Sequence, residues 1–176
     1  MDLTILPVKD RPSETKIAHH PNFLDGVYIY SSTMSNGDST ARFLLDQYGE
    51  TVYATYSDDH LQGILDYQAS VPKLERPNIA IVFDDFIAFP NVKKNSLMFK
   101  LASNYRHFNI KLLYYSSQLW KAVPPVVRQS INYAIISQNA NNKEVEKMAE
   151  ELGSRYGNVD KFKSLLTEAT EKPYSF

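Results

Sequence analysis

Short apolar runs alternate with segments of helical periodicity along this chain, and that alternation constrains its fold more than any other feature. Ile79-Ala-Ile-Val-Phe83 is apolar without interruption, which suits a parallel strand buried on both faces. Gly26-Val-Tyr-Ile-Tyr30, Thr51-Val-Tyr-Ala-Thr55, Ile110-Lys-Leu-Leu-Tyr-Tyr115 and Tyr133-Ala-Ile-Ile136 read as four further strands. A helix is expected over residues 39–48, with Phe43, Leu44 and Tyr48 on one face. A second runs from Ser57, a candidate N-cap, through about Ala69. A third spans 94–105, with Leu97, Met98, Leu101 and Tyr105 in register. Pro124-Pro125 opens a short helix, since proline is tolerated in a first turn. Two more helices follow at about 142–152 and 158–169, the second capped by Asn158. The pattern implies an α/β sandwich with a mostly parallel sheet. Residues 1–22, with Pro7, Pro12 and Pro21, read as an extended lead-in, and 23–176 as a single domain.

In such sheets the chemistry sits at the carboxyl ends of the strands. Those ends carry Ser31-Ser-Thr33, Asp84-Asp85, Ser116-Ser-Gln118 and Ser137-Gln138. Two carboxylates ending a buried strand are costly without a partner, and Mg²⁺, which takes hard oxygen ligands and keeps several waters, is a natural one. Asp84 would then orient a metal-bound water and Asp85 would polarise the attacking water. Apolar residues followed by Asp and a second acid form a Walker B pattern; the same residues also describe a strand that ends at the surface with both acids in solvent. Gln118 is placed either to hydrogen-bond a γ-phosphate or attacking water, or simply to be a polar loop residue. Arg106 precedes its strand and so projects from the opposite end of the sheet to Asp84. It reads either as an arginine finger for a neighbouring subunit or as a cation offsetting a helix dipole.

Composition narrows the classes. There are no cysteines, which excludes disulfides and thiolate metal sites. No apolar run approaches the roughly 18 residues that span a bilayer, and the first residues, Met1-Asp-Leu-Thr, lack the pattern of a signal peptide. The net charge of −1 conceals an uneven distribution: residues 1–85 hold 13 acidic and 6 basic side chains, whereas 86–142 hold no acid and seven bases. A polyanion would favour that middle third, and Lys93, Lys94 and Arg128 are its candidate nucleic-acid contacts; a solvated basic face is the alternative. Arg128 also suits a helix cap. His19, His20 and His107 have no second histidine or cysteine at metal-ligand spacing. The many tyrosines near the basic third fall mostly on strand and core-facing positions.

Ile79–Asp85, Arg106-His-Phe-Asn-Ile110, Tyr115-Ser-Ser-Gln118 and Pro124 to Arg128-Gln-Ser-Ile-Asn132 together resemble the poxvirus-type DNA-packaging ATPases. These belong to the FtsK/HerA group of P-loop ATPases of large DNA viruses, virophages and related elements. Gly26–Thr33 is similar to the strand that follows the family's P-loop helix, and Phe162–Phe176 to the segment leading into its last strand, so the resemblance covers roughly residues 24–176. It implies a P-loop-type three-layer sandwich with ATP and Mg²⁺ as cofactors. Asp84 would hold the metal, Asp85 would activate water, Gln118 would sense the γ-phosphate and Arg106 would act in trans. It further implies double-stranded DNA, a homo-oligomeric ring and a viral capsid or portal vertex as partners, in infected-cell cytoplasm or the virion, without a membrane. The family's Gly-x-x-x-x-Gly-Lys-Ser/Thr loop should precede Tyr28, yet Lys9-Asp-Arg-Pro-Ser-Glu-Thr-Lys16 contains no glycine. The expected object is a core without its first and last strands: a fragment, a split gene product or a degenerate paralogue. Two alternatives are a non-hydrolysing ATPase-derived module that binds partner subunits or DNA, and a metal-dependent nuclease. The latter needs further carboxylates near the strand ends, and residues 86–142 supply none.

Overall fold

Four parallel strands carry the first of two units into which the chain divides, Met1–Ser117 and Gln118–Phe176. The structure is a computed structural model that describes residues 23–36, 39–85, 96–138 and 141–172. The proposed lead-in and Lys93 and Lys94 lie outside them.

The strands are β1 (Gly26–Ser31), β2 (Val52–Tyr53), β3 (Ile79–Asp84) and β4 (Ile110–Tyr115), in the order β2-β1-β3-β4. All three pairings are parallel. The uninterrupted apolar run of β3 occupies an interior position with helices on both faces, as its composition requires. Three helices complete the layers: α1 (Ser39–Tyr48), α2 (Asp58–Ser70) and α3 (Ser96–Asn104). Leu44 and Tyr48 of α1 pack with Val27, Ile29, Ala80 and Val82 on one face of the sheet. Leu61, Ile64 and Leu65 of α2 and Leu97, Met98 and Leu101 of α3 pack with Tyr30, Ile81 and Phe83 on the other.

The placement of α1 opposite α2 and α3 follows from strand order. The chain leaves β1 in one direction to reach β2, then reverses to reach β3 and β4. Crossovers of a single hand must put the connecting helices of those two directions on opposite faces. The point of reversal lies between β1 and β3.

Local signals set the helix limits. Ser57 caps α2 by accepting a hydrogen bond from the His60 N–H, and Asp58 and Asp59 lie in its first turn, where carboxylates complement the helix dipole. Leu61, Ile64, Leu65 and Gln68 make its buried stripe. The helix expected over residues 39–48 spans those residues, but Phe43 is exposed while Leu44 and Tyr48 turn inward. The strand expected over 51–55 is only the two residues of β2.

A polar network closes the amino end of the sheet. Gln68 Nε2 donates to the carbonyls of Pro77 at 2.9 Å and Phe108 at 2.7 Å. Asn109, left-handed at φ +56°, donates through Nδ2 to the carbonyls of Arg76 and Pro77 and to Asn78 Oδ1. Asparagine accepts that backbone region at low cost. The turns entering β3 and β4 are thereby tied to each other and to α2.

The second unit contains α4 (Pro125–Ser130), α5 (Asn142–Leu152) and α6 (Val159–Ala169). Asn141 caps α5 and Asn158 caps α6 through their side chains. Met148, Ala149 and Phe162 form the core. The strand expected at Tyr133–Ile136 is absent: residues 133–138 pair with no strand. Nor are its side chains covered as a strand's would be: Tyr133, Ala134 and Ile135 are all exposed, and Ile136 is half-buried where it lines a cleft of about 420 Å³. A short apolar run alone does not make a strand; a ladder partner is needed, and none stands beside this segment among the described residues.

Candidate functional site at the carboxyl end of the sheet

Three adjacent strands end in the same two-residue pattern, an aromatic followed by a polar side chain: Tyr30-Ser31, Phe83-Asp84 and Tyr115-Ser116. Parallel pairing aligns them, with Tyr30 opposite Phe83, Ser31 opposite Asp84 and Phe83 opposite Tyr115. Successive residues of a strand point to opposite faces, so the aromatics turn toward α2 and α3 and the polar groups turn away from them.

The aromatics form a row across all four strands. The Tyr30 and Phe83 rings stack at 5.2 Å with an interplanar angle of 8°, and Phe83 and Tyr115 at 5.1 Å and 9°. Tyr53 of β2 stacks on Tyr30 at 5.1 Å. Each such pair contributes about 0.5–1.5 kcal/mol beyond the area it buries, which gives the strand tips a stiff base. Burial raises the hydroxyl pKa values of Tyr30 and Tyr115. The Tyr30 hydroxyl is fully buried and has no hydrogen-bond partner among the described residues.

On the other side of the tips, hydroxyls converge on Asp84. Ser31 Oγ donates to Asp84 Oδ2 and Ser116 Oγ to Asp84 Oδ1, each at 2.7 Å. Thr33 Oγ1 lies 2.9 Å from Ser31 Oγ. Because the single Ser31 proton goes to the carboxylate, Thr33 is the donor in that contact, and its oxygen lone pairs remain available as acceptors. The Asp85 N–H donates to Ser116 Oγ at 2.9 Å. One serine hydroxyl thus donates to the first acid while accepting from the backbone of the second.

Asp85 departs from the strand at φ +49°, a left-handed conformation that aspartate, like asparagine, adopts more readily than other non-glycine residues. Its Oδ1 is buried without a hydrogen-bond partner among the described residues. A buried carboxylate oxygen in that condition is a group awaiting a partner.

The site lies between the tips of β1 and β3, where the direction of strand succession reverses. In open α/β sheets that reversal opens the crevice in which ligands bind. The donor set is entirely hard oxygen: the Asp84 and Asp85 carboxylates and the hydroxyls of Ser31, Thr33 and Ser116. It fits Mg²⁺, which uses one or two carboxylates and completes its shell with water and phosphate oxygens. No cluster of three or more His, Cys, Asp or Glu occurs among the described residues; an ion bound in this manner does not require one.

The other expected site residues are distributed differently. Gln118 is exposed and opens the second unit. Arg106 lies in the turn before β4, at the end of the sheet away from Asp84, with Nε donating to Tyr105 Oη at 2.9 Å and its guanidinium over the Tyr105 ring. Arg128 Nε is 3.3 Å from Glu151 Oε2, and its side chain lies over Trp120 and is only 10% exposed. Trp120 Nε1 donates to the same Glu151 oxygen at 2.9 Å. No helix among the described residues is long and apolar enough to cross a membrane.

Ser31, Thr33 and Ser116 were visible in the sequence only as polar strand tips. The aromatic-then-polar pair repeated at three strand ends is a signal in the sequence from which a link of Ser31 and Ser116 to Asp84 could have been drawn. Comparison with protein-family models, with curated proteins and with solved structures finds no match for this chain.

Proposed function

We propose that this chain forms the metal-and-water side of an ATP-hydrolysing site in a motor that packages viral double-stranded DNA. The observation that carries the reading is the Asp84 carboxylate, held by Ser31 and Ser116 at the reversal point of a parallel sheet, beside an Asp85 with a buried oxygen that has no partner among the described residues. The resemblance to the DNA-packaging ATPases supplies the substrate and the partners, and with them the P-loop-type fold.

In this reading Asp84 holds Mg²⁺ with Thr33 beside it. When bound, Mg²⁺ offsets the charge that spreads over the phosphoryl oxygens. Asp85 accepts a proton from the attacking water through its free oxygen, and its left-handed backbone turns the carboxylate out of the strand. Gln118 hydrogen-bonds the γ-phosphate. Arg106, at the opposite end of the sheet, acts on the nucleotide of a neighbouring protomer in a ring.

A second reading is supported by one feature of the sequence: nothing in the 176 residues matches the glycine-rich phosphate loop, whose backbone N–H groups cradle phosphates. The chain is then a non-hydrolysing module that binds partner subunits or DNA. ATP turnover measured with and without double-stranded DNA separates the two. The motor reading expects Mg²⁺-dependent hydrolysis that rises with DNA and disappears in Asp85→Asn. DNA binding without turnover favours the module, and turnover that survives Asp85→Asn removes the role assigned to that residue.

A further inference from the structure

Ser116 occupies a position that neither acid shares. Its hydroxyl donates to Asp84 Oδ1 at 2.7 Å and accepts from the Asp85 N–H at 2.9 Å, so its one proton is committed to one acid and a lone pair to the next residue. Its own N–H donates to the Phe83 carbonyl at 2.8 Å, which extends the β3–β4 ladder one residue past the strand. Backbone and side chain together anchor Ser116 to three consecutive residues, Phe83, Asp84 and Asp85.

We infer that Ser116 is the positioning residue of the acid pair, a group through which the tip of β4 sets the orientation of Asp84 and the left-handed turn of Asp85 together. The inference deepens the magnesium reading of this site and rests on it for its functional consequence. Ser31 holds only Asp84, from the opposite side. Without Ser116, Asp84 keeps one of its two hydroxyl donors, while the amide that fixes the turn at Asp85 loses its acceptor. Any displacement of the β4 tip therefore reaches both carboxylates at once, whereas a displacement at β1 reaches one.

The test compares the full chain with Ser116→Ala and Ser116→Thr, each first checked for native circular dichroism. Two quantities are read by NMR: the affinity for Mn²⁺, used as a paramagnetic substitute for Mg²⁺, and the hydrogen-exchange rate of the Asp85 amide. Ser116→Ala is expected to weaken Mn²⁺ binding by about 10-fold or more, the effect typical of losing a residue that orients a metal ligand. It is also expected to speed Asp85 exchange by about 10-fold or more, as that amide loses its protecting bond. Ser116→Thr, which keeps the hydroxyl, is expected to restore both. Wild-type values in Ser116→Ala overturn the inference. If the wild-type chain binds no Mn²⁺, the magnesium reading fails, and the Asp85 exchange rate alone decides the role of Ser116: faster exchange in the alanine variant supports it and an unchanged rate overturns it. Where the alanine chain does not fold, Ser116→Cys, similar in shape but a far weaker hydrogen-bonding group, takes its place with the same expected outcomes.

Discussion

Ser31 and Asp84 stand opposite each other across β1 and β3, joined by a 2.7 Å hydrogen bond from the serine hydroxyl to the carboxylate. The two residues are 53 positions apart in sequence and meet because β1 and β3 flank the point where the sheet reverses direction. Ser31 is almost wholly buried, at 1% exposure, so its hydroxyl has no alternative in solvent. Replacing it with alanine leaves Asp84 with Ser116 as its remaining hydroxyl donor. Ser31→Ala is expected to cost about 1.5–3 kcal/mol, the range for a hydrogen bond to a charged group. Urea denaturation measures it, and a loss below about 0.5 kcal/mol would contradict the contact.

Asp85 separates stability from function. Its φ of +49° suits glycine better than aspartate. Asp85→Gly keeps the N–H that donates to Ser116 and removes the carboxylate. The variant is expected to match or exceed wild-type stability by up to about 1 kcal/mol while losing Mg²⁺-dependent hydrolysis. Chemical denaturation and a turnover assay on one preparation check both halves. A variant that loses activity only by unfolding would contradict this assignment.

The sequence made most of the sheet legible because β1, β3 and β4 are strongly apolar and helices of ordinary length separate them. Ile79–Phe83 announced a strand buried on both sides, and Ser57 and Asn158 announced helix starts through hydrogen bonds that are local. Tyr133–Ile136 misled, because a short apolar run of β-favouring residues says nothing of a pairing partner, and three of the four side chains are exposed. Phe43 misled for a related reason: the inward stripe of α1 is narrower than helical periodicity allows, and Leu44 and Tyr48 fill it. The acid pair was legible as a pattern, but the hydroxyls holding it were not. Ser31 and Ser116 acquire their meaning from parallel register, and register becomes readable only when strand order is known.

The Tyr30 hydroxyl offers a test of the aromatic row. It is buried without a hydrogen-bond partner among the described residues, a condition that costs about 1–3 kcal/mol. Tyr30→Phe keeps the stacked ring and is expected to be at least as stable as wild type, by thermal and urea denaturation. A loss exceeding about 1 kcal/mol would mean that the hydroxyl makes a favourable contact.

The same tyrosines set an alkaline limit. Burial raises the pKa values of Tyr28, Tyr30 and Tyr115 above the ordinary 10.0. Below pH 10 these groups are neutral in both states and their full contribution to stability is present. As pH rises past 10, the unfolded chain releases protons that the folded chain retains, so stability falls. Urea midpoints measured between pH 9 and 11.5 are expected to decline above about pH 10, and Tyr30→Phe to reduce the slope by one tyrosine's proton. A flat profile would contradict the burial of these hydroxyls.

At the amino end, Gln68 ties two carbonyls with a single amide group. Gln68→Leu preserves most of the side-chain volume and leaves the Pro77 and Phe108 carbonyls without that donor. The Pro77 carbonyl keeps its bond from Asn109, so the expected loss is about 1–3 kcal/mol, from the Phe108 carbonyl left without its side-chain donor, with no change in metal affinity at the far end of the sheet. Weakened Mn²⁺ binding in a folded Gln68→Leu chain would show that the two ends are coupled.

The most direct test of the central claim is a ¹H–¹⁵N NMR titration of the wild-type chain with substoichiometric Mn²⁺. If the strand tips form a magnesium site, the amide signals of Ser31, Thr33, Asp84, Asp85 and Ser116 broaden first, those of Arg106 and Asn109 at the opposite end stay sharp, excess Mg²⁺ reverses the broadening, and Asp84→Asn abolishes it. Broadening centred elsewhere, or unchanged in Asp84→Asn, would contradict the assignment of this site.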